Sequence, residues 1–170
     1  MSLPGNTFAY RLLTPRALDF ESDNMGHCVG RGYYDVDVIN DKTRIYSIRD
    51  ERGEPHVTFE VKEPEDSVFV VEQCNGKQNK APVQKYMDAV QALVEKMNWE
   101  IDGDVKNIGL IKIAEKYYSF QDLIDGKIQI PENTVYNGNL DFVDSELTEL
   151  PDLSNLTVNG YFNWFREQLK

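Results

Sequence analysis

Three strand-like segments joined by very short turns restrict this chain more than any other feature. Arg44-Ile45-Tyr46-Ser47-Ile48-Arg49 is followed by the turn residues Asp50 to Pro55, and Val57-Thr58-Phe59-Glu60-Val61-Lys62 then alternates strictly. Glu63 to Asp66 reads as a second turn. Ser67-Val68-Phe69-Val70-Val71-Glu72-Gln73 comes next and is more apolar, as a central strand would be. Parallel neighbours need a crossover of a dozen or more residues, which these connections cannot supply. An antiparallel meander is therefore expected. With the first turn centred between Arg52 and Gly53, Glu60 falls opposite Ile45 and Lys62 opposite Thr43. Val57, Phe59 and Val61 share one face, and Thr58, Glu60 and Lys62 read as a solvated one.

Helical signals flank the meander. Thr14-Pro15 pairs a capping hydroxyl with a proline at the first helical position, and predicts a short helix to Asn24 or Met25 with Gly26 as its stop. Pro82 opens a longer helix to about Asn98, on which Val83, Tyr86, Met87, Val90, Leu93, Val94 and Met97 form one apolar stripe. That stripe is core. A shorter helix is predicted over Leu110 to Tyr118, and Ser119-Phe120-Gln121-Asp122 resembles a capping box. After Gly126, the residues Ile130-Pro131, Val135, Gly138, Leu140 and Phe142 are echoed by Leu150-Pro151, Val158, Gly160 and Phe162. The offset of roughly 20 to 23 residues lies in the range of solenoid repeats. The expected fold class is α+β: an antiparallel meander packed on an amphipathic helix, with a short solenoid-like C-terminal tail. The expected division is an α+β domain over 1–103, a helical connector over 104–125 and a repeat-like β tail over 126–170.

Charge narrows the partners. The 170 residues carry a net charge of −11. Duplex binding needs clustered Lys and Arg to displace counterions, and here they are scattered and outnumbered, which disfavours nucleic acid. No stretch approaches the ~20 apolar residues of a membrane span. The N-terminal segment has no basic region followed by an apolar one, so it does not read as a signal peptide. Cys28 and Cys74 are too few for a disulfide framework and read as reduced thiols, which points to the cytoplasm. There is no GxxxxGK[ST] and no GxGxxG, so no cofactor is implied.

Met25-Gly26-His27-Cys28-Val29-Gly30 resembles the His-Cys-Val-Gly signature of the PcfJ-like proteins of conjugative plasmids and phages. The order that follows is also similar to that family: Tyr33 or Tyr34 after the glycines, a strand with Ser47-Ile48-Arg49, a strand with Thr58-Phe59-Glu60-Val61, then Gln73, Gly76 and Asn79 in a polar loop before a helix. The resemblance covers about residues 11 to 100. It implies a phage or mobile-element setting and no particular reaction. Gly26 stands where a second His would precede the motif's His, so a His pair is not implied.

Four chemistries are open to these residues. The glycines at 26, 30, 32 and 76 lie in two loops that could converge at one end of the sheet. With Gly30, Arg31, Tyr33, Gln73, Gly76, Lys77 and Asn79 they would form a binding site for a small anionic ligand, and a protein partner is the other expectation. Cys28 beside His27 is a candidate thiolate nucleophile. Sequence neighbours seldom face each other, however, and the negative end of the preceding helix opposes a thiolate. Glu60-Val61-Lys62 with Asp50 resembles the spaced carboxylates and lysine of metal-dependent nucleases, but the hairpin register keeps Asp50 at the turn and away from Glu60. Zinc would have to use His27, Cys28, His56 and Cys74, and the adjacency of the first two strains a tetrahedral site; no metal is expected. The preferred reading is an accessory or interaction domain, with a cysteine-dependent enzyme centred on Cys28 second and a nuclease using Glu60 and Lys62 third.

Overall fold

The computed structural model describes residues 1–27, 29–30, 32, 34–63, 68–101, 105–142 and 151–163. The chain forms two compact units, 1–100 and 101–170. Helices and a mainly antiparallel sheet make it α+β.

In the first unit the elements are β1 (Ser2–Leu3), β2 (Thr7–Leu12), α1 (Pro15–Met25), α2 (Asp35–Ile39), β3 (Thr43–Arg49), β4 (Pro55–Lys62), β5 (Val70–Asn75) and α3 (Met87–Met97). A short β6 (Glu100–Ile101) lies at the boundary. The sheet order is β1-β2-β3-β4-β5-β6, and every pair from β1 to β5 is antiparallel. The meander has the expected register, with Glu60 opposite Ile45 and Lys62 opposite Thr43. Its third strand starts later than the apolar run suggested, at Val70. The hairpin of β1 and β2 was not expected. Its loop turns through Gly5 and Asn6, both at positive φ, where only glycine and a few polar residues sit without strain.

The reading of Thr58, Glu60 and Lys62 as a solvated face is overturned for the first two. Thr58 and Glu60 are buried, like Val57, Phe59 and Val61. Helix α1 packs across β4 on the Thr58 side, and Trp99, just after α3, meets Tyr46 and Phe59 on the other. Alternation reports which face is polar, but a polar face can still be covered when its groups find partners.

Helix α1 starts and ends where its caps dictate. The Thr14 hydroxyl accepts from the Ala17 amide at 3.1 Å, and Gly26, left-handed at φ 69°, donates its N–H to the Ser22 carbonyl. On the Pro82 helix Tyr86, Val90, Leu93 and Val94 of the stripe are buried, and Val83 is not. A 3-10 turn covers Gln84–Tyr86 before α3 begins, which turns Val83 out to 61% exposure.

Gly30 lies against α1, where a Cβ would sit 2.8 Å from the Asp19 Cα, the Leu18 carbonyl oxygen and the Ser22 Cβ. Two of these atoms are backbone and cannot swing aside. Gly30→Ala is therefore expected to cost about 1–3 kcal/mol, the usual range for overpacking. Urea unfolding checks this, and an unchanged midpoint would show that the loop lifts off the helix freely.

In the second unit, β7 (Leu110–Ile113) and β8 (Lys116–Ser119) form an antiparallel hairpin. The helix expected over Leu110 to Tyr118 is absent. Ala114 and Glu115 both take positive φ, the geometry of a two-residue hairpin turn. A short apolar run with isoleucines can be a strand or a helix segment by period alone. Helix α4 (Phe120–Ile124) follows with Ser119 at its N-cap, but the serine side chain makes no capping bond.

Strands β9 (Thr134–Tyr136) and β11 (Leu156–Val158) pair in parallel, as do β10 (Leu140–Asp141) and β12 (Phe162–Asn163). Both pairs run at an offset of 22 residues, which side chains repeat: Asn159 Nδ2 donates to Asn137 Oδ1 at 2.8 Å. Gly160 is required there, because a Cβ would fall 2.2 Å from the Gly138 carbonyl oxygen. The echo at Leu150 lies outside the described residues.

Candidate functional site

Burial of a carboxylate organises the site. On α1 the residues Leu18, Glu21, Ser22 and Met25 are all buried, so Glu21 occupies a position of the apolar stripe and is fully covered. It survives there because donors reach it. The Thr58 hydroxyl donates to Oε1 at 2.6 Å, the Arg49 guanidinium to Oε2 at 3.1 Å, and Ser47 supplies a further hydrogen bond. Desolvation raises the Glu21 carboxyl above its ordinary value, while Thr58, Ser47 and Arg49 pull the other way. A 2.6 Å hydroxyl contact is typical of a donor on a charged carboxylate.

This fixes the state of His27. Its Nε2 lies 2.8 Å from the Thr58 oxygen. A hydroxyl has one proton, and Thr58 spends it on Glu21. Nε2 must therefore be the donor in that contact, which leaves Nδ1 as a bare lone pair. Nδ1 is buried with no hydrogen-bond partner, and His27 as a whole is 8% exposed. Burial lowers the imidazole's proton affinity below the ordinary value of 6.5. The result is a neutral acceptor held in one tautomer. The Ser22 hydroxyl ties down the His27 carbonyl from α1.

A cavity of about 360 Å³ opens over this network, lined by His27, Val29, Tyr34, Thr58, Glu60, Gln73, Asn75 and Asn79. The Tyr34 hydroxyl donates to Glu60 Oε2 at 3.0 Å, and Lys62 approaches Oε1 at 3.3 Å. Strand pairing sets Gln73 opposite Glu60. The lining among the described residues thus includes one carboxylate, one imidazole and three amides, with no cationic side chain.

Of the residues singled out from sequence, His27, Glu60, Gln73 and Asn79 meet in this cavity, joined by Tyr34. Gly30 does not line it; α1 takes its space. Gly76 is packed against Ala81 and Pro82, and Lys77 pairs with Glu54 at 2.7 Å. Cys28, Arg31 and Tyr33 lie outside the described residues. Cys74 is buried, and burial pushes its thiol well above the ordinary range, so it is no nucleophile. Glu21 and Thr58 were missed. The signal for Glu21 was available: a lone acid on the apolar stripe Leu18, Ser22, Met25.

Asp50, Glu54 and His56 bring ligand atoms within 4.8 Å of one another at the tip of the β3–β4 hairpin. Their lone pairs already have work to do. Asp50 accepts from the Arg52 and Glu54 amides and contacts His56 Nε2 at 2.9 Å, which holds its carboxyl down at about 2. His56 also stacks on Tyr86. Asp41, the carboxylate on the Lys62 side of the hairpin, is tied to Arg11 and Arg44. Among the described residues no helix is long and apolar enough to cross a membrane.

Residues 15–91 match the family model described as PcfJ-like protein. This span carries α1, the meander, the cavity and the start of α3. No curated protein and no solved structure gives a significant match.

Proposed function

We propose, for a chain whose residues 15–91 match the PcfJ-like protein family, that it is an accessory binding module of a phage or mobile element, and that it takes a small polar group in the His27 cavity. One observation carries the reading: a cavity of about 360 Å³ is lined by polar groups that converge on it from separate elements, among them His27, Glu60, Gln73 and Asn79. The reading is also supported by the rigidity of the support. His27 is held through Thr58 and Glu21 from two elements, so the wall it forms is preorganised, which favours binding by reducing ordering cost. The anion expected from sequence is the weaker occupant, since Lys77 is engaged by Glu54 and the described lining is acidic or neutral.

The test is a panel of neutral, cationic and anionic polar compounds, read by thermal unfolding and by the side-chain amide resonances of Gln73, Asn75 and Asn79. A true ligand at 100 times its Kd adds about 2.7 kcal/mol of stability. Gln73→Ala alters an exposed position and is expected to abolish that gain without lowering the stability of the free protein. A panel in which nothing moves these resonances would reject the module.

A further inference from the structure

We infer that the outer strands of the second unit, β11 and β12, form an interface on which two copies of this chain pair end to end about a twofold axis. The strand register shows the end to be open. Leu156, Val158 and Phe162 lie one layer beyond Thr134, Tyr136 and Leu140. The three inner residues are buried. Leu156 and Val158 pack against the same apolar cluster yet stay only half-buried, and Phe162 is 42% exposed. The core is thus partly bare at its outer layer, whereas stacked repeats close on a terminal unit with a polar outer side.

The backbone is open on the same side. The Asn155 carbonyl and the Asn159 N–H bond to β9. Successive residues of a strand present these groups to opposite sides, so the Val158 N–H and C=O and the Leu156 C=O point away from β9. The Leu156 N–H is taken by the Leu153 carbonyl at 2.9 Å. On β12 the Tyr161 and Asn163 carbonyls accept from β10 and the residue after it, so the Phe162 N–H and C=O point outward as well. Among the described residues no strand pairs on that side. Open edges are ordinarily guarded by charged side chains or proline. Residues 153–163 contain neither, in a chain that is 28% charged.

These features select a second copy as the occupant. Two chains at −11 repel each other over most of their surface, and an uncharged outer layer lets them approach without that repulsion. A strand edge is also its own complement. About a twofold axis each copy meets an antiparallel strand that offers the N–H and C=O groups it needs. Leu156, Val158 and Phe162 of both copies then cover one another.

The experiment follows the full chain by sedimentation from about 5 to about 500 µM, a range suited to the weak pairing of a small interface. Hydrogen exchange is read on the same samples at both ends of the range. The dilute chain is expected to be monomeric and the concentrated chain mainly dimeric. The Val158 and Phe162 amides should exchange about threefold more slowly in the concentrated sample, as expected for a Kd of about 100 µM. The Asn159 amide, already bonded to β9, should not change. Thr157→Glu alters an exposed position and sets like charges near the axis. It should hold the chain monomeric throughout, with its folding checked by exchange at Leu110 to Ile113. A monomer at every concentration overturns the inference. Val158 and Phe162 amides already protected in the dilute chain also overturn it, because the chain's own residues would then cover the edge. A dimer that leaves those amides unchanged, or that survives in folded Thr157→Glu, places the contact elsewhere and overturns it too.

Discussion

Glu21→Ala is expected to destabilise the first unit by about 3–5 kcal/mol, the range for breaking a buried charge pair from one side. The carboxylate is fully buried, and Arg49, whose side chain is 17% exposed, would be left charged between the rings of Tyr10 and Phe20. Thr58 would lose its acceptor as well. Glu21→Gln keeps an oxygen for Thr58 and loses only the charge, so its cost should be smaller. Glu21→Leu combined with Arg49→Leu should cost less than the sum of the single changes, because neither partner is then stranded. Urea unfolding of Glu21→Ala, Glu21→Gln, the two single leucine changes and their double measures this. A Glu21→Ala cost below about 1 kcal/mol would mean that water reaches the pair. The pH profile adds a check. The folded carboxyl holds its proton more tightly than the unfolded one, so the folded state binds more protons as pH rises from about 4.5 toward the raised value. Stability attributable to Glu21 therefore declines through that window, and Glu21→Gln should flatten the decline. Arg49, Thr58 and Ser47 meet the carboxylate directly, and none of them needs to titrate there.

Much of this arrangement could be read from the chain, for reasons that also explain what could not. The β3–β4 register followed from turn length and alternation, both local properties. The meeting of the loop at His27 with the loop at Gln73–Asn79 followed from topology, since both adjoin the same sheet. The relay from Arg49 through Glu21 and Thr58 to His27 did not, because it joins residues up to 37 positions apart across a helix and two strands. Polarity at Thr58 and Glu60 suggested solvent, when it marks a buried network whose members satisfy one another. The β7–β8 hairpin was misread for a different reason: its turn is made by Ala114 and Glu115, which carry none of the usual Asn or Gly signal for positive φ. In the tail the echo was legible only as an offset of roughly 20 to 23 residues, and it set Val158 against Val135 where the strands pair Val158 with Tyr136. What that echo pairs, strand on strand in parallel at 22 residues, needed coordinates.

Phe142→Ala should have an effect of similar size in the second unit, about 3–5 kcal/mol for removing a large buried aromatic. Phe142 is 1% exposed. It stacks on Phe120 with ring centroids 5.5 Å apart and meets Phe162 at 5.7 Å. It thereby links α4 to the β12 strand across a core of Ile111, Ile113, Leu123, Ile130, Tyr136 and Leu140. Ring pairs add about 0.5–1.5 kcal/mol beyond their area, and both pairs are lost together. Its backbone also matters, since the Phe142 amide donates to the Asn163 carbonyl at 2.7 Å; alanine keeps that bond and isolates the side chain's share. Ordinary domains hold about 0.05–0.15 kcal/mol per residue, so a unit of about 70 residues has little to spare. Hydrogen exchange at the amides of Leu110 to Ile113 reads the outcome directly. In Phe142→Ala these amides should exchange about a hundredfold faster or more, a factor that corresponds to at least 2.7 kcal/mol. Phe142→Leu, which refills part of the volume, should restore part of the protection. Unchanged exchange in the alanine variant would mean that the β7–β8 hairpin and α4 hold together without the tail, and that the parallel strands contribute nothing to the core they cover.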